Sequence, residues 1–186
     1  NVNVFVPKYA PEGKKNLLRL LQAKVHEIDG DRMFVNREAM KAERKGLVYV
    51  GHWWNPYFIE GEKTMAYEAY EQIGSVDYVV VPLGSGTILL GLYKGYKELM
   101  QLGVLNQMPR IVAVQACGYS GICQELGARK ECVTKTKLAD GIAITDPPRR
   151  KQIIKAVRET NGHCIIVEDE EIKEPLVELR KLGFIV

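Results

Sequence analysis

The residues best suited to chemistry are Gly84-Ser85-Gly86-Thr87, which follow the apolar run Tyr78-Val79-Val80-Val81-Pro82 and open an amphipathic stretch that reaches Gln101. A β-branched run of this length reads as a strand buried on both faces of a parallel sheet, and the stretch after it as a helix. A loop in that position turns the unpaired N–H groups of a helix N-terminus toward an anion, and its glycines let a phosphate approach the backbone closely. The spacing is not that of a P-loop, because no Gly-Lys-Ser/Thr follows. It also lacks the third glycine of a dinucleotide fingerprint, the next glycine being Gly91. Two readings stay open on the loop alone: a tight turn in which Ser85 or Thr87 caps the helix, or a site for a short monophosphate group.

Further candidates flank the loop. Asn55-Pro56 favours an extended or turn geometry, with a direct substrate contact as the alternative for Asn55. His52 is able to donate to an anion, with Trp53 and Trp54 as pocket walls. Gln115 ends a second apolar strand, Arg110 to Gln115, at the carboxyl edge of the sheet, where open α/β sheets bind ligands. His26 and His163 have no partners at metal-ligand spacing, so no metal site is expected.

The segment NPYFIEGEKT at positions 55–64, followed by DYVVVPLGSGT at 77–87, resembles the threonine synthase branch of the fold-type II pyridoxal-phosphate enzymes. Similar matches are VFVPKYAPEGKK at the start, RIVAVQA at 110–116, LADGI at 138–142 and the tail IIVEDEEIKEPLVELRKLGFIV, so the resemblance runs through nearly the whole chain. It implies a three-layer α/β fold of the tryptophan synthase β type, a parallel sheet with helices on both faces. Residues 1–50 would then be a remnant of the smaller mobile domain and residues 51–186 most of the larger one. The implied cofactor is pyridoxal 5'-phosphate, its phosphate held by Gly84, Ser85, Gly86 and Thr87, with His52, Asn55 and Gln115 as weaker substrate candidates. The implied reaction converts O-phosphohomoserine and water to threonine and phosphate, in a cytoplasmic homodimer acting on small amino acids.

Two departures from the family pattern matter. No Ser/Phe-x-Lys-Asp/Asn motif for the Schiff-base lysine occurs, and the family's pyridine-nitrogen partner would fall after Val186. The chain alone is therefore expected to be inactive, with no catalytic residue assigned in it. Around Asn55-Pro56 the family's polar residues are replaced by His52, Trp53 and Phe58, which removes a bidentate guanidinium suited to a phosphate. That opens a second reading, a cysteate synthase or a threonine/serine dehydratase. A third is a non-catalytic phosphate- or nucleotide-binding Rossmann-like module, which would want an acidic residue about twenty positions past the loop.

Composition narrows the classes. With 26 basic and 23 acidic residues among 186, and a net charge of +3, the chain has no electrostatic footprint for nucleic acid. No segment reaches the ~20 apolar residues of a membrane span. Cys117, Cys123, Cys132 and Cys164 form no C-x-x-C pair and read as free core or near-surface thiols.

The elements that must position these residues follow from periodicity. Strands are expected at residues 2–7, 26–28, 47–50, 76–82, 110–115 and 163–167. Helices are expected at 13–24 (with Leu17, Leu18, Leu20 and Leu21 inward), 38–45, 64–73, 87–101, 120–126 and 149–160, and from a cap at Asp169 to residue 181. Alternating strands and helices imply a parallel sheet.

Overall fold

The computed structural model describes residues 2–43, 46–132, 134–136 and 138–184. The expected helix end at positions 44 and 45 and the last two residues of the tail lie outside them. The chain divides into two compact units, Asn1–Gly51 and His52–Val186.

In the first unit, β1 (Asn3–Pro7) pairs in parallel with β2 (Lys24–Ile28), with Asn3 opposite Lys24 and Pro7 opposite Ile28. The crossover is α1 (Glu12–Leu20), and α2 (Arg32–Glu43) follows β2. Lys15 on α1 is buried, yet its Nζ meets Glu12 at 2.5 Å and Glu27 at 2.9 Å and donates to the Lys8 carbonyl at 3.2 Å, so the charge is paired. Two expectations fail here. Leu17, Leu20 and Leu21 are exposed and Leu18 is half-buried, while α1 packs on β2 and buries Lys15. Residues 47–50 form no strand; Val48 and Val50 stand in solvent, and no neighbouring strand pairs with this backbone among the described residues.

The second unit is built on β3 (Tyr78–Pro82), β4 (Arg110–Ala116) and β5 (His163–Val167), parallel and in that order, with Val81 beside Ala113 and Ala113 beside Cys164. Around them run α3 (Pro56–Glu62), α4 (Thr64–Ile73), α5 (Thr87–Gln101), α6 (Gly121–Glu125), a single 3₁₀ turn (Asp140–Ile142), α7 (Arg150–Glu159) and α8 (Asp169–Lys181). Leu83, Leu89, Ile111, Ile122, Ile153 and Val157 have no exposed surface and form the main core. Ala66, Tyr96, Leu99 and Leu105 form a second cluster, which packs α4 on α5. The α8 helix starts one residue ahead of expectation: Glu168 holds the cap position, its N–H donating to the Glu171 carboxylate at 2.8 Å.

The reading of four free thiols is corrected. Cys117 is bonded to Cys132 and Cys123 to Cys164, with Cα separations of 5.4 and 4.9 Å. The seating of α6 against β5 brings Cys123 to Cys164, and the loop after α6, whose Thr136 N–H donates to the Cys117 carbonyl at 3.0 Å, returns Cys132 to Cys117, so no local spacing announces them. Among the described residues, no helix is long and apolar enough to cross a membrane, and no cluster of side chains is suited to hold a metal ion.

Candidate functional site

The β3 strand leads directly into the loop. Leu83 is fully buried and its N–H donates to the Val114 carbonyl at 2.7 Å, which extends the sheet pairing one residue past the strand and fixes where the loop begins. Gly86 then turns the chain with φ +82°, a left-handed value that side chains rarely adopt, and α5 starts at Thr87. A Cβ on Gly86 would lie 2.2 Å from Ile153 Cδ1 of α7, and one on Gly84 would lie 3.1 Å from the Gly141 oxygen and Ile142 Cα of the 3₁₀ turn. The loop is thus seated between two other elements; close approach and backbone angle require glycine at Gly86, and Gly84 is tightly packed.

From Gly84 to Leu89, none of the backbone N–H groups finds an acceptor among the described residues; the first intrahelical bond is Leu90 N–H to the Gly86 carbonyl at 3.0 Å. These donors sit at the positive end of a 15-residue helix. Ser85 is half-buried, with its Oγ 3.4 Å from Thr87 Oγ1, and Thr87 is only 3% exposed. Chemically, this is a cradle for a compact anion with several acceptor oxygens.

One neighbour is not singled out by the sequence. Glu62, the last residue of α3, accepts the Thr87 hydroxyl on Oε1 at 3.0 Å, while its Oε2 is buried with no partner among the described residues. Burial pushes this carboxyl above the usual carboxylate range, and only the Thr87 hydrogen bond pulls it back. The close approach of α3 to α5 that makes this contact depends on Gly91, whose Cβ would fall 2.6 Å from Glu62 Cβ.

The remaining candidates lie apart. Asn55 caps α3, its Oδ1 accepting the Tyr57 N–H at 3.0 Å with Pro56 in the first turn, so the Asn-Pro pair starts a helix where the sequence suggests a turn. His52 is flanked by the rings of Trp53 at 6.1 Å and Phe58 at 5.9 Å, which strip water from the imidazole and push its pKa down, although the residue as a whole is exposed. Arg149 donates to the Trp53 and Trp54 carbonyls at 2.8 and 2.9 Å, fixing this segment to the start of α7. No hydrogen bond or ring contact joins His52 or Asn55 to the loop among the described residues. Gln115 is fully buried; its Oε1 accepts the Ile122 and Cys123 N–H groups at 3.1 and 3.0 Å and so caps α6, while its Nε2 has no partner among the described residues.

The architecture is that of known enzymes. The chain superposes on a maize serine racemase with a TM-score of 0.77 at 21% identity, over 99% of this chain and 54% of that one. A threonine deaminase from T.th. gives 0.72 at 22% identity, over 95% and 57%. At these identities the likeness is one of fold, and it bears out the expected α/β, fold-type II class. The family model described as pyridoxal-phosphate dependent enzyme matches residues 1–186, and the chain belongs to that family. Its relatives include the threonine synthase of Methanocaldococcus jannaschii, 30% identical over 95% of this chain and 46% of that protein. Another is that of Mycobacterium tuberculosis (strain H37Rv), 31% identical over 87% and 46%. The L-threonine ammonia-lyase of Thermotoga maritima is 27% identical over 98% and 44%. The chain spans about half the length of these relatives.

Family membership makes pyridoxal phosphate the cofactor class, ahead of the nucleotide that the sequence leaves open. The residues present fit its phosphate end: unpaired N–H groups, the Ser85 and Thr87 hydroxyls, and glycine backbone that nothing but a small group can approach. When bound, the cofactor supplies an electron sink for amino-acid chemistry.

Proposed function

We propose that this chain is the phosphate-anchoring part of a threonine synthase that converts O-phosphohomoserine and water to threonine and phosphate. In this reading Gly84, Ser85, Gly86 and Thr87 hold the cofactor phosphate through backbone N–H groups and two hydroxyls. The observation that carries it is the run of unpaired N–H groups at the start of α5, seated against the 3₁₀ turn and α7. Support for the reaction comes from the threonine synthases, which at 28–31% identity match most of the chain. Holding the phosphate fixes the cofactor ring in position and orientation, which is this chain's part in catalysis. By itself the chain binds and does not turn over, because no residue in it matches the family's lysine motif.

A second reading, an elimination enzyme acting on threonine or serine, draws on the match to the ammonia-lyase and on the apolar rings around His52, which suit a small uncharged side chain better than a phosphate. Assaying the whole enzyme with O-phosphohomoserine, threonine and serine separates the two. Preference for O-phosphohomoserine supports the first, and ammonia release from threonine supports the second.

Phosphate anchoring is tested on the chain itself with pyridoxine 5'-phosphate and pyridoxine, which lack the aldehyde and so leave surface lysines alone. The phosphate ester should bind at least a hundredfold more tightly, by the order of magnitude expected of several charge-assisted hydrogen bonds. Gly86→Val should remove that difference. Equal binding of the two compounds would refute the assignment.

A further inference from the structure

The carboxyl of Glu62, hydrogen-bonded to the first residue of α5, sits where a second negative charge is least welcome. The Thr87 hydroxyl has a single proton, and it is given to Glu62 Oε1 at 3.0 Å. With Glu62 ionised, Thr87 turns only lone pairs toward the space in front of the α5 N-terminus, and a phosphate arriving there meets those lone pairs and a buried carboxylate. Protonating Glu62 reverses the bond: the carboxyl donates to Thr87 Oγ1, and the threonine proton is released to point at the phosphate. The proton count balances, one being taken from solvent by Glu62 and none leaving the cofactor.

Among the described residues, no cation pairs with Glu62 instead. On its own helix, Glu60 binds Lys63 at 2.9 Å and Lys94 at 3.3 Å. From α5, Lys94 meets Glu98 at 2.7 Å, and Lys63, at the junction of α3 and α4, meets Glu98 at 2.9 Å. On α4, the Thr64 hydroxyl donates to Glu68 at 3.1 Å. Both ammonium groups near the α3–α5 contact are therefore engaged with other carboxylates, and Glu62 Oε2 stays buried without a partner among the described residues. An ionised carboxylate is tolerable there in the free protein because it lies against the first turn of α5, and a phosphate takes over that role.

We propose that Glu62 is a positioning residue for the cofactor phosphate, taking up a proton as the phosphate binds so that the Thr87 hydroxyl is released to donate to it. The proposal rests on the phosphate assignment above and deepens it. Burial, which already favours the neutral carboxyl in the free protein, acts in the same direction. Binding is then linked to pH: between the titration of Glu62 in the free protein and in the complex, affinity falls as pH rises, by about tenfold per unit for one proton.

The test is calorimetric titration of the protein with pyridoxine 5'-phosphate from pH 7 to 9, where the ester is already dianionic. Buffers of different ionisation enthalpy count the protons taken up. Wild type should lose affinity with rising pH and take up protons on binding. Glu62→Gln, whose amide donates permanently to Thr87, should bind with the wild-type low-pH affinity, change less than about twofold over the range and take up none. Thr87→Val keeps the shape, removes the hydroxyl, and should weaken binding while flattening the profile. An unchanged pH slope in folded Glu62→Gln would overturn the proposal and leave the phosphate assignment intact. So would loss of binding at every pH in that folded variant, since it would mean that the carboxylate itself is required. Failure of wild type to prefer the ester over pyridoxine would overturn the assignment and the proposal together.

Discussion

The two units of this chain solve the problem of burial in opposite ways. In the first, the buried side chains are few, Val35, Ala42 and the paired Lys15, and large apolar residues such as Leu20 and Val48 stand in solvent. In the second, a contiguous core runs from β3 through α5 and α7 to β5, one disulfide ties α6 to β5, and another ties the end of β4 to the loop at Cys132. The difference separates what each can do alone. A unit held by ion pairs and a two-stranded sheet gains little free energy from folding, since exposed pairs contribute ~0–1 kcal/mol and an isolated strand pair is marginal. A unit with a packed three-stranded core can hold a loop rigid enough to present a row of N–H groups to an anion.

The contrast makes predictions of decreasing size. Ile153→Ala empties a fully buried site in the second unit and removes the side chain lying against Gly86; it should cost about 2–5 kcal/mol of stability in denaturant titration and weaken binding of pyridoxine 5'-phosphate as well. A loss under ~1 kcal/mol would mean that the α7 contact does not hold the loop. Reducing the Cys117–Cys132 bond, which spans 15 residues, should destabilise the second unit by about 3 kcal/mol, and Cys117→Ser with Cys132→Ser should reproduce this without reductant. Melting temperatures of the double variant and the wild type without reductant read this bond apart from Cys123–Cys164, and an unchanged value would sink the claim that the staple contributes.

A smaller effect concerns acid. Lys94, then the Tyr67 hydroxyl and Lys63, hold the Glu98 carboxyl down at about 2 from an ordinary 4.5. A depressed carboxylate contributes stability above its unfolded pKa and loses it as pH falls through the folded value, so the contribution should disappear between about 4.5 and 2. Glu98→Gln should therefore flatten the melting-temperature profile in that window and lower it above. The smallest effect belongs to the first unit: Leu20→Ala on its exposed face should change stability by no more than ~0.5 kcal/mol in this chain, and a larger loss would show that something covers that face.

How far the sequence can be read follows from the range over which each signal acts. The strand, loop and helix around residues 78–101 are legible because apolar run, glycine loop and helical period follow one another in the chain, and each signal is local. α3 escapes a sequence reading although its own signals are present: Asn55 and Pro56 are a good N-cap and first-turn pair, and the same two residues suit a turn equally well. The disulfides and Glu62 are not legible, since their partners are brought in by the seating of α6 on β5, by the loop that follows α6 and by the α3–α5 approach. The leucines of α1 mislead because an amphipathic period shows which face is apolar and says nothing about what covers it. Gln115 is legible as a residue near a strand end, whereas the capping of α6 by its Oε1 is not, because that helix is placed by the fold and not by local spacing.

The central claim, that the amides opening α5 receive the cofactor phosphate, is tested most directly by amide hydrogen exchange with and without pyridoxine 5'-phosphate. The N–H groups of residues 84–89 find no acceptor among the described residues, so they should exchange quickly in the free protein and become protected on binding, while residues 52–58 change little. Protection that appears around residues 52–58 and spares residues 84–89 would contradict the account.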